Sequence, residues 1–252
     1  MRSGKTASGR GDKAAASAGR VRADRPALSR DQIVEVALKL IDMRGLDALN
    51  MRDVARELGV YHRAIYWHFP AGKNALLGAV AAGAFEDVLP RDIGTDDWER
   101  WLRELFRRYR TSLRRHPHVA PLLGAQIVSN AGVDVVLVER LLQALGAAGF
   151  RGEGLIAAYN AVIAAMLGYV TLELAPAPEG DPEWEQEFES SIRALSADPY
   201  PTLVANRDRM INRSFILRWK SGVDVPLDSG FDLYVEAFVA GLRAQAAVQA
   251  ET

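Results

Sequence analysis

Residues 46–69 read LDALNMRDVARELGVYHRAIYWHF, a spacing that is typical of two short helices joined by a tight turn. Ala55 is small enough to let the two helices cross closely, and Gly59 permits the turn because glycine has no Cβ. Val60 and Ile65 are expected to fill the space beneath the crossing. This pattern predicts a helix-turn-helix, whose second helix lies in the major groove of DNA.

The residues on both sides of this motif predict two further helices. Ser29-Arg30-Asp31-Gln32 is a capping box, in which the serine hydroxyl and the glutamine side chain satisfy free amides at a helix start. Gly45 lies where the C-terminus of that helix favours a left-handed residue. Another helix begins at Lys73, and Pro90 ends it. The helices expected in this region cover about 30–44, 50–58, 62–68 and 73–89.

Beyond Pro90, apolar residues recur at helical spacing, and prolines and glycines interrupt the pattern. The alternation that is typical of β-strands is scarce, so the predicted fold class is all-α. Residues 207–228 stay open, because 214–219 fits a strand or a helix. Further long helices are expected near 96–115, 119–128, 134–148, 154–174, 183–196 and 229–248.

The charge of the chain is nearly balanced but unevenly distributed. The 252 residues carry 31 Lys and Arg against 32 Asp and Glu, a net charge of −1. Residues 1–80 hold 14 basic and 8 acidic side chains, a net of +6, which leaves −7 for the rest. Residues 1–28 have almost no large apolar side chain, so we expect a disordered basic arm. Such asymmetry indicates a nucleic-acid-binding arm, and a solvated disordered tail without that role is the alternative.

The composition argues against several other functions. The chain has no Cys, which removes disulfides, Cys-ligated zinc and thiol nucleophiles. We expect no enzyme and no cofactor, because no nucleophile–base pair, phosphate-cradling loop or carboxylate pair is legible. No metal site is expected either. His62 and His68 lie six residues apart, which does not bring them together on a helix, and His116 and His118 lack a third donor at ligating spacing.

One apolar segment leaves an alternative function open. Residues 155–175 are nearly all apolar, interrupted mainly by Asn160 and Glu173, and are long enough to cross a membrane. Many of them are alanines, which add little hydrophobicity, and a fully buried helix has the same composition. We therefore expect no membrane partner. The alternative is a helical adaptor or membrane-surface protein, whose basic arm binds anionic lipid without sequence-specific DNA binding.

The motif and its surroundings resemble the TetR (tetracycline repressor) family of transcriptional regulators. The resemblance implies a homodimer with an N-terminal three-helix helix-turn-helix domain and a C-terminal helical bundle that binds a small effector. It is most specific over residues 29–80 and looser beyond them. The matching residues are 46–60, 64–69, Lys73 and 76–77, with 33–41 like the first helix, 115–117 like the junction after the fifth, and 149–150 and 231–245 like two later segments.

The resemblance also implies a division of the chain into three parts. A disordered basic arm is expected at 1–28 and a helix-turn-helix DNA-binding domain at 29–75. A ligand-binding and dimerisation domain is expected at 76–252. The implied function is a ligand-responsive, cytoplasmic transcriptional regulator, a repressor that binds a palindromic double-stranded DNA operator and is released by its effector.

The residues that contact DNA are expected on the second helix of the motif and beside it. Arg63 can bond a guanine edge bidentately, and His62 can donate to a base or a phosphate. Tyr61 can pack on a thymine methyl, and it stands where the family usually has a capping Ser or Thr. By resemblance, 66–68 position phosphates, although Trp67 alternatively packs against the first helix. The candidates are Asn50, Arg52, Tyr61, His62, Arg63, Tyr66, Trp67, His68 and Lys73.

Two of these candidates carry a further qualification. Arg52 opens a helix near the groove, where an ordinary exposed arginine is the alternative. Three residues separate Phe69 from Lys73, where the family usually has two, and this departure weakens the phosphate role implied for Lys73.

The effector pocket is expected inside the C-terminal bundle, by resemblance. Asn160 is an amide in an otherwise apolar helix and needs a partner. The many alanines of that helix would leave space for a largely apolar ligand, although the apolar candidates fit a plain core as well. Apolar residues near Leu89 and Leu123 stand where the tetracycline–magnesium regulators use histidines, so that effector is not expected. The candidates are Leu105, Tyr109, Leu123, Asn160, Ala161, Ala164 and Met166.

The last predicted helix carries an apolar stripe at three- and four-residue spacing. Together with 155–175, this stripe predicts a four-helix dimer interface with two helices from each subunit. Core packing within one chain would give the same pattern. The candidate interface residues are Phe231, Tyr234, Val235, Phe238 and Leu242.

Overall fold

The computed structural model describes residues 28–122, 134–175 and 183–250. Regular structure in these ranges is helical and no strand occurs in them, which confirms the all-α class. The predicted arm, apart from Leu28, and part of the helix expected at 119–128 lie outside the described residues. The helices are α1 (Arg30–Arg44), α2 (Met51–Glu57), α3 (His62–His68), α4 (Lys73–Ala84), α5 (Trp98–Arg115), a 3₁₀ turn (Pro117–Val119), α6 (Val135–Ala148), α7 (Gly152–Glu173), α8 (Glu183–Arg193), α9 (Pro201–Met210) and α10 (Asp228–Ala250).

Short-range polar contacts determine where the first helices begin. Ser29 Oγ accepts a hydrogen bond from the Gln32 backbone N–H at 3.1 Å, and Gln32 Oε1 accepts one from the Ser29 N–H at 3.0 Å. This is the predicted capping box of α1. α3 begins after Tyr61 without a side-chain cap, as expected from a residue that has no short oxygen-bearing side chain.

The tight turn between α2 and α3 is the predicted one. Gly59 has a φ of +65°, which only glycine adopts without strain. The Val60 N–H donates to the Ala55 carbonyl at 2.9 Å and closes the turn. Ala55 and Ile65 are buried where the helices cross, and Val60 is half-buried. The buried apolar residues of α1–α4 and their connections are Ile33, Ala37, Leu40, Ile41, Leu49, Met51, Val54, Ala55, Ile65, Phe69, Leu76, Leu77, Val80, Ala81 and Ala84.

α4 connects the two parts of the molecule. The boundary expected between residues 75 and 76 falls inside this helix, which packs along α1 through buried leucine and valine side chains. At its other end, the Ala84 carbonyl accepts a hydrogen bond from Ser112 Oγ of α5. α4 therefore contacts both α1 and α5.

α5 is the central helix of the C-terminal part and packs against α6, α7 and α10. Ion pairs on its outer face fix α10 beside it. Arg103 Nε lies 2.8 Å from Glu236 Oε1, and Arg243 Nε lies 2.5 Å from Glu99 Oε1. Its buried face carries Trp101, Leu102, Leu105, Phe106, Tyr109, Arg110, Ser112 and Leu113.

Two histidines join the end of α5 to α1. His116 Nδ1 lies 2.8 Å from Asp42 Oδ2, and His118 Nδ1 lies 3.0 Å from the Ile41 carbonyl oxygen. Both rings are therefore used in contacts between the two parts of the chain, which gives them a structural role.

The region left open at 207–228 contains the end of α9 and an irregular segment, 211–227. Asn212 has a φ of +56°, and its Oδ1 accepts hydrogen bonds from the N–H groups of Trp219 at 2.9 Å and Lys220 at 3.1 Å. Gly222 approaches α7 so closely that a Cβ there would overlap Glu173. The segment thus closes over the C-terminal end of α7.

Most predicted helix bounds agree with the observed ones within a few residues. α4 ends at Ala84 instead of Leu89, because residues 85–89 form turns. α9 was not predicted, because Pro199 and Pro201 indicated a break. Pro201 instead occupies the first turn of the helix, where a missing N–H has no cost.

Candidate nucleic-acid interface and effector region

The outer face of α3 is strongly exposed. Tyr61 and Trp67 are 89% and 87% exposed, whereas Ile65 on the opposite face is completely buried. Trp67 therefore does not pack against α1, and the alternative considered for it is wrong. The other exposed members of the predicted set are Arg52, His62, Arg63 and Tyr66, while His68 and Lys73 are half-buried.

Several exposed side chains of this face have no polar partner in the part of the chain that the structure describes. Arg52, Arg63 and Trp67 make no side-chain hydrogen bond or ion pair with any residue that the structure describes. His62 contacts Tyr66 edge to face, with ring centroids 6.5 Å apart. Unpaired donors on a convex helix face are available to an external acceptor, and base edges and phosphates are such acceptors.

Asn50 has a different role from the predicted one. Its Oδ1 accepts hydrogen bonds from the N–H groups of Arg52 at 3.1 Å and Asp53 at 2.9 Å, and its Nδ2 donates to Asp53 Oδ2 at 2.6 Å. The side chain is thus engaged as the N-cap of α2. We correct its assignment from DNA contact to helix cap.

The residues after α3 hold Lys73 at the first position of α4. Gly72 has a φ of +76°, and its N–H donates to the Phe69 carbonyl at 2.9 Å. Phe69 is buried, and the guanidinium carbon of Arg30 lies 4.6 Å from its ring centroid. The additional residue between Phe69 and Lys73 is therefore accommodated in a turn beside α3.

The predicted effector residues divide into two groups. Leu105, Tyr109 and Met166 are buried in the bundle. Tyr109 stacks on Phe85 with ring centroids 5.4 Å apart, and its buried hydroxyl has no partner among the residues that the structure describes. Burial raises the pKa of the Tyr109 phenol, so the hydroxyl stays protonated at neutral pH. Leu123 lies outside the described residues.

Asn160, Ala161 and Ala164 do not line the interior, and this part of the prediction is wrong. All three lie on the exposed face of α7. The helix buries only its other face, with Ala158, Val162, Ala165, Met166, Val170 and Glu173. Because Asn160 projects outward, its amide needs no partner inside the chain.

A half-open groove lies between α1 and α4 and the start of α6. Its volume is about 1030 Å³, and Val34, Leu38 and Phe85 contribute apolar surface to its wall. Charged residues line it as well, namely Arg30, Asp31, Glu35, Glu86, Arg91 and Asp134. Phe85 also stacks on Tyr109, so the groove adjoins the buried aromatic pair. This volume is sufficient for a ligand of ordinary drug size.

A buried ionic cluster at the end of α7 was not predicted. Glu173 is completely buried and accepts hydrogen bonds from Arg110 at 2.6 and 2.7 Å. Arg110 also lies 2.8 Å from Asp228. The signal in the sequence was the glutamate that interrupts the apolar run 155–175, because a charged residue in such a run needs a partner.

The predicted dimer stripe on α10 is mainly intrachain core, which corrects its assignment. Phe231, Val235 and Leu242 are buried within one chain, and Tyr234 and Phe238 are half-buried. The two half-buried rings pack on Phe106 of α5, with centroids 6.3 and 5.7 Å from its ring.

The opposite face of α10 is exposed and apolar instead, and α7 has a similar face. The exposed residues of α10 on this side are Leu233, Ala237, Ala240, Gly241, Ala244 and Val248, and those of α7 are Ile156, Ala157, Asn160, Ala161, Ala164, Gly168 and Leu172. By length and composition, α7 is the one described helix that could cross a membrane, and 22% of its most apolar window is buried within the chain.

No group of three or more His, Asp or Glu side chains that could hold a metal ion occurs among the residues that the structure describes.

Comparison with known proteins identifies both parts of the chain. Residues 33–80 match the model of bacterial regulatory proteins of the tetR family, and residues 89–215 match the tetracyclin repressor-like C-terminal domain. An HTH-type transcriptional regulator from Saccharopolyspora erythraea is 27% identical over 230 residues, which cover 89% of each chain.

Solved structures have the same fold. ActR from Streptomyces coelicolor in complex with actinorhodin aligns with a TM-score of 0.68 and 24% identity, over 88% of this chain and 99% of ActR. BioQ with its natural double-stranded DNA operator aligns with a TM-score of 0.53 and 27% identity, over 84% of this chain and 99% of BioQ. With both parts of its length matched, the chain belongs to the TetR family and is a DNA-binding transcriptional regulator.

Proposed function

We propose that the protein is a homodimeric repressor that binds a palindromic operator and is released by a small, largely apolar effector. The observation that carries this proposal is the exposed face of α3, where Arg63, His62 and Trp67 extend from a well-packed helix. BioQ, which is 27% identical, has been solved on its DNA operator, and this supports the same use of α3 here.

In this proposal, α3 lies in the major groove and reads base edges through Arg63, His62 and Tyr61. Arg52, Tyr66, Trp67, His68 and Lys73 then contact the backbone or neighbouring bases, which fixes the register of the helix on the duplex. Asn50 contributes indirectly, since it caps the helix that supports α3.

The dimer of the proposal uses the exposed faces of α7 and α10. Small residues at positions such as Ala161, Ala164, Ala240 and Ala244 allow helices of two subunits to approach closely. A two-fold axis through this four-helix contact relates two copies of α3, so the operator is expected to be an inverted repeat. Burial against the second subunit would also explain an apolar face on α7 without a membrane.

The effector of the proposal binds near Tyr109 and Phe85. The unpartnered Tyr109 hydroxyl supplies one polar contact beside the Phe85 ring, and the adjoining groove supplies space, with apolar wall residues and a charged rim. Leu105 and Met166 then belong to the wall of the site. The match of residues 89–215 to the tetracyclin repressor-like domain supports a ligand-binding role for this part of the chain.

Release from DNA follows if the effector favours one arrangement of the two reading helices over another. The contacts His116–Asp42 and Ser112–Ala84 connect the effector region to α1 and α4. A shift of α5 on ligand binding would change the spacing of the two α3 helices. Because it acts on operator DNA, we place the protein in the bacterial cytoplasm.

The proposal is tested by selecting bound duplexes from a random DNA pool with the full-length protein. We expect enrichment of one inverted repeat, and loss of that enrichment with Arg63→Ala. Arg100→Ala is the matched control, because Arg100 is exposed on α5 without a partner among the described residues. Equal recovery of all sequences would contradict the proposal that the protein binds a specific operator. Binding to anionic vesicles in place of DNA would favour the helical adaptor.

A further inference from the structure

Arg218 carries a guanidinium whose terminal nitrogens have no partner. Its Nε donates to the Lys220 carbonyl at 2.9 Å. Nη1 and Nη2 are shielded from solvent and make no hydrogen bond to any residue that the structure describes. Because a buried charged donor without an acceptor costs free energy, this arrangement favours binding of an anion.

Glu173 attracts Arg218 electrostatically, but Glu173 and the neighbouring Asp228 are already engaged by other arginines. Glu173 accepts two hydrogen bonds from Arg110. Asp228 lies 2.8 Å from Arg110 and 3.6 Å from Arg114. Within the described part of the chain, the cluster thus contains three arginines and two carboxylates, and Arg218 supplies the excess positive charge.

Two aromatic residues lie close to this charge. Tyr169 interacts electrostatically with Arg218, and its ring meets the Phe215 ring edge to face, with centroids 5.1 Å apart. Burial raises the pKa of Tyr169 to about 12 and lowers the pKa of Arg218. Since electrostatic attraction is stronger where water is partly excluded, an anion is attracted to the shielded nitrogens of Arg218 more strongly than to a fully solvated arginine.

We propose that Arg218 is the anchor of a binding site for an aromatic carboxylate. Nη1 and Nη2 bind the carboxylate as a fork, and the ring of the ligand packs against Phe215, which is 40% exposed. This site goes beyond the proposed function, which places a largely apolar effector near Tyr109.

Binding at this site involves movement of the irregular segment 211–227. The segment carries both Arg218 and Phe215, and it is held to the end of α7 by the hydrogen bond from the Gly222 N–H to the Glu173 carbonyl, at 2.9 Å. It also leads directly into α10. A ligand that displaces the segment therefore acts on the two helices that we propose for the dimer interface.

The experiment is a calorimetric and thermal-denaturation titration of the full-length protein with benzoate, benzamide, acetate and inorganic phosphate. The variants are Arg218→Met, Arg218→Lys and, as matched control, Arg213→Met, an exposed arginine of the same segment. Circular dichroism without ligand establishes whether each variant is folded.

We expect benzoate to raise the Tm of the wild type and of Arg213→Met, and uncharged benzamide to have no effect. Acetate and phosphate should bind more weakly than benzoate, because they lack the ring. Arg218→Met should lose the response, and Arg218→Lys should bind at least ~10-fold more weakly, the loss expected for one charge-assisted hydrogen bond. Arg218→Met should remain folded without ligand: it loses the hydrogen bond to the Lys220 carbonyl but also removes two shielded nitrogens that have no acceptor.

Two outcomes would overturn the proposal. One is an equal response of the wild type to benzoate and benzamide, or none to either. The other is a benzoate response that survives in Arg218→Met. If acetate and phosphate match benzoate, the ring contact is wrong and the site takes a small anion only. If Arg218→Met is unfolded, the responses of the wild type and Arg218→Lys to the four ligands still test the proposal.

Discussion

Single polar residues in this chain have roles that depend on which side of a helix they occupy. Asn50 was predicted to contact DNA, and its side chain instead caps α2 through two backbone amides. Asn160 was predicted to face a ligand, and it faces outward. Local sequence shows that a polar residue needs partners, but not whether those are backbone amides, a ligand or solvent.

The cap of α2 gives a prediction for Asn50. Asn50→Ala should lower the free energy of unfolding by about 1 kcal/mol, because two amides of the first turn lose their acceptor. Asn50→Ser should restore most of the loss, since serine is also a good cap. Urea denaturation of the three proteins measures this difference. Equal stability of the alanine variant and the wild type would show that the cap contributes nothing.

A second prediction for a single residue concerns the contribution of Glu104 to stability at acidic pH. Hydrogen bonds from Arg107, with a further one from Arg108, lower the pKa of Glu104 from 4.5 to about 2. A lowered pKa means that the carboxylate stabilises the fold fully above about pH 4.5 and loses this contribution as the pH falls towards 2. Between pH 4.5 and pH 2, the free energy of unfolding of Glu104→Gln should therefore fall less than that of the wild type.

Urea denaturation at pH 6 and at pH 3 measures the acid effect. Glu57→Gln is the matched control, because Glu57 is exposed on α2 without a partner in the described ranges. If the free energy of unfolding falls equally between pH 6 and pH 3 in Glu104→Gln and in the wild type, the ion pairs of Glu104 do not contribute to stability.

At the scale of the helix, the sequence predicts which segments are helical better than it predicts what covers each face. The stripe on α10 was correctly seen as apolar, yet Phe231, Val235 and Leu242 pack within the chain. Periodicity identifies a face that must be buried, but an intrachain partner and a second subunit leave the same pattern. The end of α4 and the existence of α9 were not predicted. The turns after Ala84 and the position of Pro201 in the first turn of α9 depend on tertiary packing.

The buried ionic cluster between α5 and α7 gives a prediction at this scale. Glu173→Ala should lower the free energy of unfolding by about 3–5 kcal/mol, because it leaves Arg110 with one fewer counterion in the core. The double variant Arg110→Met with Glu173→Met should be much less destabilised than the sum of the single changes, since it leaves neither charge of this pair unmatched.

Chemical denaturation at fixed protein concentration measures these values, because dimerisation makes stability depend on concentration. Glu153→Ala is the control, as Glu153 is exposed at the start of α7. Additive effects of the two substitutions would show that the pair is not coupled.

At the scale of the whole molecule, the proposed dimer depends on the exposed faces of α7 and α10. Ala240 lies near the middle of the α10 face, so Ala240→Glu should place an unpaired carboxylate in the contact and shift the protein to monomers. The expected cost is at least ~3 kcal/mol per contact. Ala48→Glu, at an exposed turn of the DNA-binding part, should leave the dimer intact. Sedimentation velocity distinguishes the two, and an unchanged dimer of Ala240→Glu would place the interface elsewhere.

The helix-turn-helix could be predicted in detail because its residues meet locally, through Ala55, Gly59 and Ile65. The sites of the C-terminal part could not, because they combine distant segments. Arg110 meets Glu173 across 63 positions, and Arg218 joins them from a segment without regular structure. Those contacts follow from the packing of the bundle, which single-sequence patterns do not encode.

The most direct test of the central claim is the affinity ratio between the selected duplex and a scrambled duplex of equal composition. It is measured by fluorescence anisotropy at ~150 mM salt. The wild type should prefer the selected duplex by at least ~10³-fold. Arg63→Ala should lose about 1–3 kcal/mol of that preference for each half-site while Arg100→Ala retains it. Equal affinity of the wild type for both duplexes, or equal preference in both variants, would contradict sequence reading by α3.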